Sequence, residues 1–208
     1  MKKTLPFIAP QLNISENVAI IGSAGNLRDS SNGELIDQFE DVIRFNRAPV
    51  KGYESDVGSK TTLRVTNNHV FNNNDSDPAI WSSQPRHFIK NLRDTRILYF
   101  APDYAPWLDK DKNIHSSIDA YVFDYDAHAG MKKVISYQSD RNLTVGMGFI
   151  TLCLLAGIKP HLFGFSINSL DPRDHYWEKR PPASETHSVS EEKKILTELK
   201  STGIITVH

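Results

Sequence analysis

The stretch from Val18 to Thr62, VAIIGSAGNLRDSSNGELIDQFEDVIRFNRAPVKGYESDVGSKTT, leaves this chain few ways to fold. It opens with an apolar, β-branched run, Val18 to Ile21, and breaks at Gly22-Ser23-Ala24-Gly25-Asn26. A helix-period segment follows around Leu35 and Ile36, then a second run from Asp41 to Asn46. That order predicts strand, tight loop, helix, strand. Two parallel strands joined in this way carry Gly25, Asn26 and Asn46 to one carboxyl edge, over the first turn of the helix, where free N–H groups and the helix dipole favour an anion. A phosphate-bearing ligand fits such an edge. Glycine lets backbone approach it closely, and asparagine amides donate to phosphate or ribose oxygens without adding charge. The residues also suit a plain βαβ turn whose asparagines satisfy turn backbone, since Gly-x-x-Gly-Asn is not the Gly-x-Gly-x-x-Gly of dinucleotide folds. On this stretch alone both readings stand.

The rest of the chain predicts a single domain over residues 1–208, with 1–16 as an N-terminal lead: 208 residues at 39% hydrophobic content fill one core. With 24 Lys plus Arg against 25 Asp plus Glu, the net charge of −1 supplies no field for nucleic acid. One cysteine, Cys153, excludes an internal disulfide, and no signal sequence precedes the first strand, which together predict a reducing, cytoplasmic setting. Phe149 to Ile158, the longest apolar run, is too short to span a bilayer, so no transmembrane segment is expected. Alternation from Thr61 to Thr66 predicts a third strand, Asn67 to Asp77 a polar loop, and Arg96 to Ala101 a fourth strand. Pro102 to Asn113 reads as a short helix or loop, and His115 to Tyr137 carries no clear pattern. Glu191 to Lys200 predicts an amphipathic helix with Ile195 and Leu199 inward, ended by Gly203 before a final strand from Ile204 to Val207.

The strings GNLR, ID, FNRAP and GYESDVGSKTT occur in the order and places they hold in the large sialyl motif, and this stretch resembles that motif of the eukaryotic-type sialyltransferases, glycosyltransferase family 29. Downstream, LTVGMGFITLCLLAGIKPHLFGFSIN resembles the small sialyl motif, Asp174-His175-Tyr176-Trp177-Glu178 the third, and His187 with Glu192 the last, a His and a Glu five positions later. The resemblance implies an α/β fold with a mostly parallel sheet flanked by helices, a Rossmann-like variant of the GT-A glycosyltransferase fold. It implies donor or substrate contacts at Ser23, Gly25, Asn26, Asn46, Thr144, Gly146, Tyr176 and Glu192, with catalysis by His187 and His175. Thr144 suits that part on its own account, as a helix N-cap. Two departures stand out: Ser23 replaces the family's usual asparagine, and the family's paired cysteines fall at Val18 and Gly157, so packing is expected to replace the bridge. Animal members are Golgi proteins with an N-terminal anchor and stem, and a compact prokaryotic or viral member fits this chain better.

Transfer from a sugar nucleotide needs a held leaving phosphate, a base for the acceptor hydroxyl and a pocket that excludes water. His187 is the expected base, since histidine with an unperturbed pKa of about 6.5 offers a neutral imidazole near pH 7. His175 is expected to donate to the departing phosphate. The expected reaction is inverting transfer of sialic acid, or a related keto-sugar acid such as Kdo, from its CMP ester to a sugar hydroxyl. A monophosphate leaving group needs no divalent metal, so no cofactor is expected. The implied partners are a CMP-sugar donor and a glycan or glycolipid acceptor, the latter leaving peripheral membrane contact open. Two other readings compete. Asp75-Ser76-Asp77, Asp109-Lys110-Asp111 and Asp124-Tyr125-Asp126 could hold a metal for a nucleotide diphosphate sugar, and the chain could be a non-catalytic nucleotide-binding module. No Gly-x-Ser-x-Gly supports a hydrolase.

Overall fold

The computed structural model describes residues 13–66, 96–99, 121–122, 125–167, 175–177 and 188–208. Within them the strands are β1 (Val18–Ile21), β2 (Asp41–Phe45), β3 (Leu63–Thr66), β4 (Arg96–Tyr99), β5 (Tyr121–Val122), β6 (His161–Phe163) and β7 (Thr206–Val207). The helices are α1 (Gly33–Asp37), α2 (Glu54–Val57), α3 (Tyr125–Val134), α4 (Val145–Leu155) and α5 (Val189–Ser201), with a 3-10 turn at Gly25–Leu27. The strands form one sheet in the order β5-β4-β3-β2-β1-β6-β7, and every pairing among them is parallel. The expected mostly parallel sheet is thus parallel throughout the described residues. Helix α3 and the short α2 are additions, because the charged and small residues of α3 carry no strong period and α2 is a single turn.

Parallel strands are covered on both faces, which is why β1, β2 and β3 are buried at every position. One face carries Val18, Ile20, Ile43, Phe45, Leu63, Val65 and Leu162 against residues of α3, α4 and α5. The opposite face carries Ala19, Ile21, Val42 and Phe163 against Ile36, Phe39, Val57 and Tyr176. Helix α4 is buried from Met147 through Cys153, the all-round burial its unbroken apolar sequence requires. Cys153 lies inside it, and burial pushes its thiol up to about 12, so it stays protonated at neutral pH.

The ends of α4 follow from sequence. Thr144 caps the first turn, its Oγ1 accepting from Met147 N at 3.0 Å. At the other end Gly157 takes φ +76°, with Gly157 N donating to Leu154 O and Ile158 N to Cys153 O, a Schellman closure. One of the two expected bridge positions is therefore a solvent-facing helix cap, and only its counterpart, Val18, is packed in the core. In α5 Ile195 and Leu196 turn inward and Leu199 packs at the core's margin, and Gly203 follows the helix at φ +68°.

Where β1 and β6 end, two glycines touch. Gly22 N donates to Phe163 O at 2.7 Å, and Ala24 N to Gly164 O at 3.0 Å. A Cβ on Gly22 would lie 2.3 Å from Gly164 O, a backbone atom that cannot step aside. Nearby, the buried Arg44 holds the turn before β3: its Nε donates to Thr61 Oγ1 at 2.9 Å and its Nη2 to Val57 O, Gly58 O and Lys60 O. Asp37 fixes the same turn from α1, accepting from Ser59 N, Ser59 Oγ and Lys60 N. Burial works to raise the Asp37 carboxyl, but these donors and Arg44 outweigh it and hold it below its usual range.

Two expectations follow. Gly22→Ala should cost roughly 2–4 kcal/mol, because the added methyl meets backbone, whereas Gly157→Ala, which meets open space and only loses the left-handed preference, should cost about 1 kcal/mol. Thermal melts of the two variants compare them directly; equal losses would refute the close-contact account. Asp37 contributes stability above its unfolded pKa of about 3.9, and that contribution is lost as pH falls through the lower folded value. An Asp37→Asn variant should therefore be less stable at pH 7 and lose less than the unaltered protein between pH 5 and pH 3 in urea titrations.

Candidate active site

The strand order reverses between β1 and β6: the chain from β1 to β5 builds outward on one side, then crosses back to lay β6 on the other. Ligands of open α/β sheets bind at the carboxyl ends of strands flanking such a switch point. Here that edge is formed by Gly22 to Asn26 after β1, Asn46 after β2, Phe165 after β6, and the start of α4. The expected meeting of Gly25, Asn26 and Asn46 at one edge holds. The expected first turn of α1 does not: six residues separate Asn26 from Gly33, Asn26 sits in the 3-10 turn, and α1 is a five-residue helix. The long helix that reaches this edge is α4.

Each group at the edge has a visible reason for its place. Asn46 sits in the left-handed region at φ +45°, which asparagine tolerates. Its N–H donates to Val65 O at 2.8 Å, and its carbonyl accepts from Arg64 Nη1, also at 2.8 Å. Arg64 reaches Ala48 O as well, at 3.2 Å. Burial pulls the Arg64 guanidinium down to about 10, with neighbouring Arg44 adding to the shift, so it remains a cation at neutral pH beneath the Asn46 turn. A fixed buried cation there favours an anionic ligand. Asn26 is half-buried, and its Oδ1 is buried without a hydrogen-bond partner.

At α4, Gly146 admits the half-buried ring of Phe165, whose Cε1 lies 3.2 Å from where a Cβ would stand; Phe165 also meets Phe45 edge-on at 6.5 Å. Thr144 is engaged twice from α5: its N–H and its Oγ1 both donate to the Glu192 carboxylate at 2.7 Å. Glu192 is 7% exposed. It was expected to touch substrate, and instead it ties α4 to α5 with both oxygens occupied. Met147 N is taken by Thr144 Oγ1 and Gly148 N by Thr144 O, so among the described residues the N–H groups of Val145 and Gly146 remain to face a ligand.

Tyr176 likewise plays a part its motif did not announce. Its N–H donates to Ser23 O at 2.8 Å, its hydroxyl donates to Pro49 O, and its ring is fully buried. It is a brace between the β1 loop and the loop after β2, not a group open to substrate. The residue before it, His175, is half-buried, stacks on Trp177 with ring centroids 4.5 Å apart, and is brought beside the Ser23 loop by that backbone bond. Arg28 Nη1 donates to Tyr176 O at 3.4 Å. His187 lies outside the described residues, as do His69, Trp107 and the triplets Asp75 to Asp77 and Asp109 to Asp111, with Asp124 of the third.

Sequence reasoning missed Arg44, Arg64 and Phe165. A signal existed for the arginines, each a single cation inside a short strand read as buried, which must be paired or hydrogen-bonded there. Phe165 had no signal beyond its place after a strand.

Among the described residues no helix is long and apolar enough to cross a membrane. Residues 11–204 match the model of glycosyltransferase family 29 (sialyltransferase). Beta-galactoside alpha-2,6-sialyltransferase 2 of Homo sapiens is 40% identical over 89 residues, 43% of this chain and 15% of that protein. CMP-N-acetylneuraminate-beta-galactosamide-alpha-2,3-sialyltransferase 1 of Sus scrofa is 28% identical over 189 residues, 86% of this chain and 52% of that protein. The chain thus spans about half, or less, of the length of these curated relatives. The crystal structure of a mammalian sialyltransferase superposes with a TM-score of 0.66 over 92% of this chain and 68% of that one, at 21% identity, which matches the GT-A-like fold. With nearly its whole length covered by that family model, and its sheet and helices in the same arrangement as a solved sialyltransferase, the chain belongs to glycosyltransferase family 29.

Proposed function

We propose that this protein is an inverting glycosyltransferase that moves sialic acid, or a related keto-sugar acid such as Kdo, from its CMP ester to a sugar hydroxyl. The observation that carries this reading is the gathering of the Ser23–Asn26 loop, Asn46, the open N–H groups of Val145 and Gly146, and His175 at one switch point. That set suits a single phosphate with a nucleoside attached. Asn26 and Asn46 offer amide donors, α4 offers two N–H groups and its dipole, and Arg64 stands behind as a fixed cation. The printed names of the relatives, which include CMP-N-acetylneuraminate and galactosides, support the same donor and a galactose-type acceptor.

In the proposed reaction the acceptor O–H gives its proton to His187, and its oxygen forms a bond to the anomeric carbon of the sugar. The anomeric C–O bond to phosphate breaks with its electron pair going to CMP. His175 donates an N–H to that departing phosphate, and Trp177 under its ring fixes its direction. Because one phosphate leaves, hydrogen bonds and a histidine suffice, and the Asp-x-Asp triplets have no step to perform.

Binding and turnover test separate halves of this reading. CMP should raise the melting temperature by mass action, and uridine diphosphate should not; equal shifts from both would end the CMP assignment. His187→Ala should reduce turnover by ~10²–10⁴ while CMP affinity stays near native, whereas His175→Ala should weaken CMP as well. Calorimetric titration of each variant, beside initial rates on galactoside acceptors with CMP-sialic acid and CMP-Kdo, decides the roles. Retention of more than about a tenth of native turnover by His187→Ala would remove it as the base.

The metal reading has its own test. Activity should survive a strong chelator, and Asp124→Asn with Asp126→Asn should leave rates nearly unchanged. A complete loss reversed by manganese would favour the metal-dependent alternative.

A further inference from the structure

Among the described residues β7 is the outermost strand on the β6 side, and little backbone holds it there. Thr206 N donates to Pro160 O at 3.1 Å and His208 N to Leu162 O at 3.0 Å, while Ile205, just before the strand, is packed in the core. Its side-chain hold is a pair of histidines. His161 Nδ1 and His208 Nε2 stand 2.9 Å apart, with ring centroids 5.2 Å apart and ring planes 23° from parallel. That centroid separation is as large as a 2.9 Å contact between two imidazoles allows, so the nitrogens lie on the line joining the rings and meet end on. Zinc, which needs about 2.0–2.1 Å to each nitrogen, has no room on that line; a shared proton does. The His208 ring also lies flat on Phe163, with centroids 4.2 Å apart, and His161 packs on Phe39 at 4.8 Å.

We propose that this pair is a proton-operated latch on β7: it holds the strand while at least one of the two facing nitrogens is unprotonated, and it opens when both rings are charged. An N–H···N bond needs one donor and one acceptor, so the neutral pair and the singly charged pair both close it. A second proton removes the acceptor and sets two cations against each other. Histidine is the side chain for which this change falls between pH 5 and 8. Burial lowers His161, and burial together with the His161 ring lowers His208. Below about pH 6.5 the folded pair therefore holds fewer protons than the unfolded chain. Its contribution to stability is present above that value and is lost as pH falls through the lower folded values. Charged groups on the surrounding elements are engaged elsewhere: Glu40 and Asp41 accept from Ser15, Lys60 Nζ donates to Phe39 O, and Asp37 accepts from Ser59. Lys159 precedes β6, and Ala19 is the β1 residue opposite His161. Opening uncovers Phe163, whose carbonyl accepts from Gly22 N, so the latch sits one residue from the glycine contact at the switch point.

The test uses the full chain and needs no substrate: hydrogen exchange of the Thr206 and His208 amides at pH 7.5 and pH 5.0, expressed as protection so that intrinsic rates cancel, beside NMR titration of the two rings. Protection in the unaltered protein should fall by at least about four-fold, the population ratio set by two unit charges about 5 Å apart even in bulk water. The rings should titrate in two separate steps. His161→Gln should hold protection within about two-fold across the same range, because its amide can donate to a neutral His208 or accept from a charged one. His208→Phe keeps a ring on Phe163 and removes the bond, so its protection should be lower at pH 7.5 and equally indifferent to pH. Equal pH dependence in the unaltered protein and in His161→Gln would overturn the latch. So would unchanged protection in the unaltered protein, or a single-step titration of both rings near pH 6.5.

Discussion

The contact between Gly22 and Gly164 is the constraint on which the rest of the site depends. Strands β1 and β6 separate beyond their carboxyl ends, and the loop from Ser23 to Asn26 has to leave the sheet while staying against the strand across the switch point. It does so through Gly22 N to Phe163 O and Ala24 N to Gly164 O, bonds that continue the parallel ladder past its last paired residues. Side chains at this point would push the two loops apart. Their absence lets Leu27 tuck against Gly164 and lets Ser23 O meet Tyr176 N, so the third motif is hung on the first. The place of His175 is inherited from that chain of backbone contacts, and its ring is directed by the stack on Trp177.

A second dependence runs through buried charge. Arg44 and Arg64 are partners in register on adjacent strands, both buried, and Arg44 adds to the burial that lowers the Arg64 guanidinium. Such a pair is costly unless its donors are used, and the carbonyls they reach belong to the two irregular turns that flank the strands: Val57, Gly58 and Lys60 for Arg44, Asn46 and Ala48 for Arg64. Turns whose own backbone cannot close a ladder are thereby given donors from inside the core. The left-handed Asn46 is held in this way, and the same cations leave a positive field under the edge where an anion is expected.

Much of the fold could be read from the chain because parallel strands must be apolar on both faces. Val18 to Ile21, Asp41 to Phe45 and Leu63 to Thr66 are all buried throughout, and their spacing left little choice of partner. Thr144 as a cap and α4 as a buried helix were legible for the same reason, local chemistry agreeing with burial. Helix α3 was not legible, since its charged and small residues carry no strong period. At the site, motif resemblance brought forward Asn26, Asn46, Gly146 and His175 but could not separate groups that face a ligand from groups that face the core. Tyr176 and Glu192 belong to the second kind, and only their partners, Pro49 and Ser23 for one and Thr144 for the other, reveal it. Arg44 and Arg64 escaped because a lone arginine in a strand says that it must find acceptors, without saying which.

That distinction changes how the start of α4 should be understood. A helix N-terminus attracts anions, and from sequence alone the donor phosphate seemed its natural occupant. The structure already has an anion there: Glu192 takes the Thr144 N–H and hydroxyl, two of the donors that a phosphate would otherwise use. A charged carboxylate in that place is stabilised by the dipole it partly neutralises, so it will not be displaced cheaply by a ligand of one negative charge. What remains exposed is the next pair along, Val145 and Gly146, and the absence of a side chain at Gly146 is what lets Phe165 pack against that turn. Glu192 thus acts at the donor edge by exclusion, fixing which N–H groups are left to bind, and its work is done before any substrate arrives.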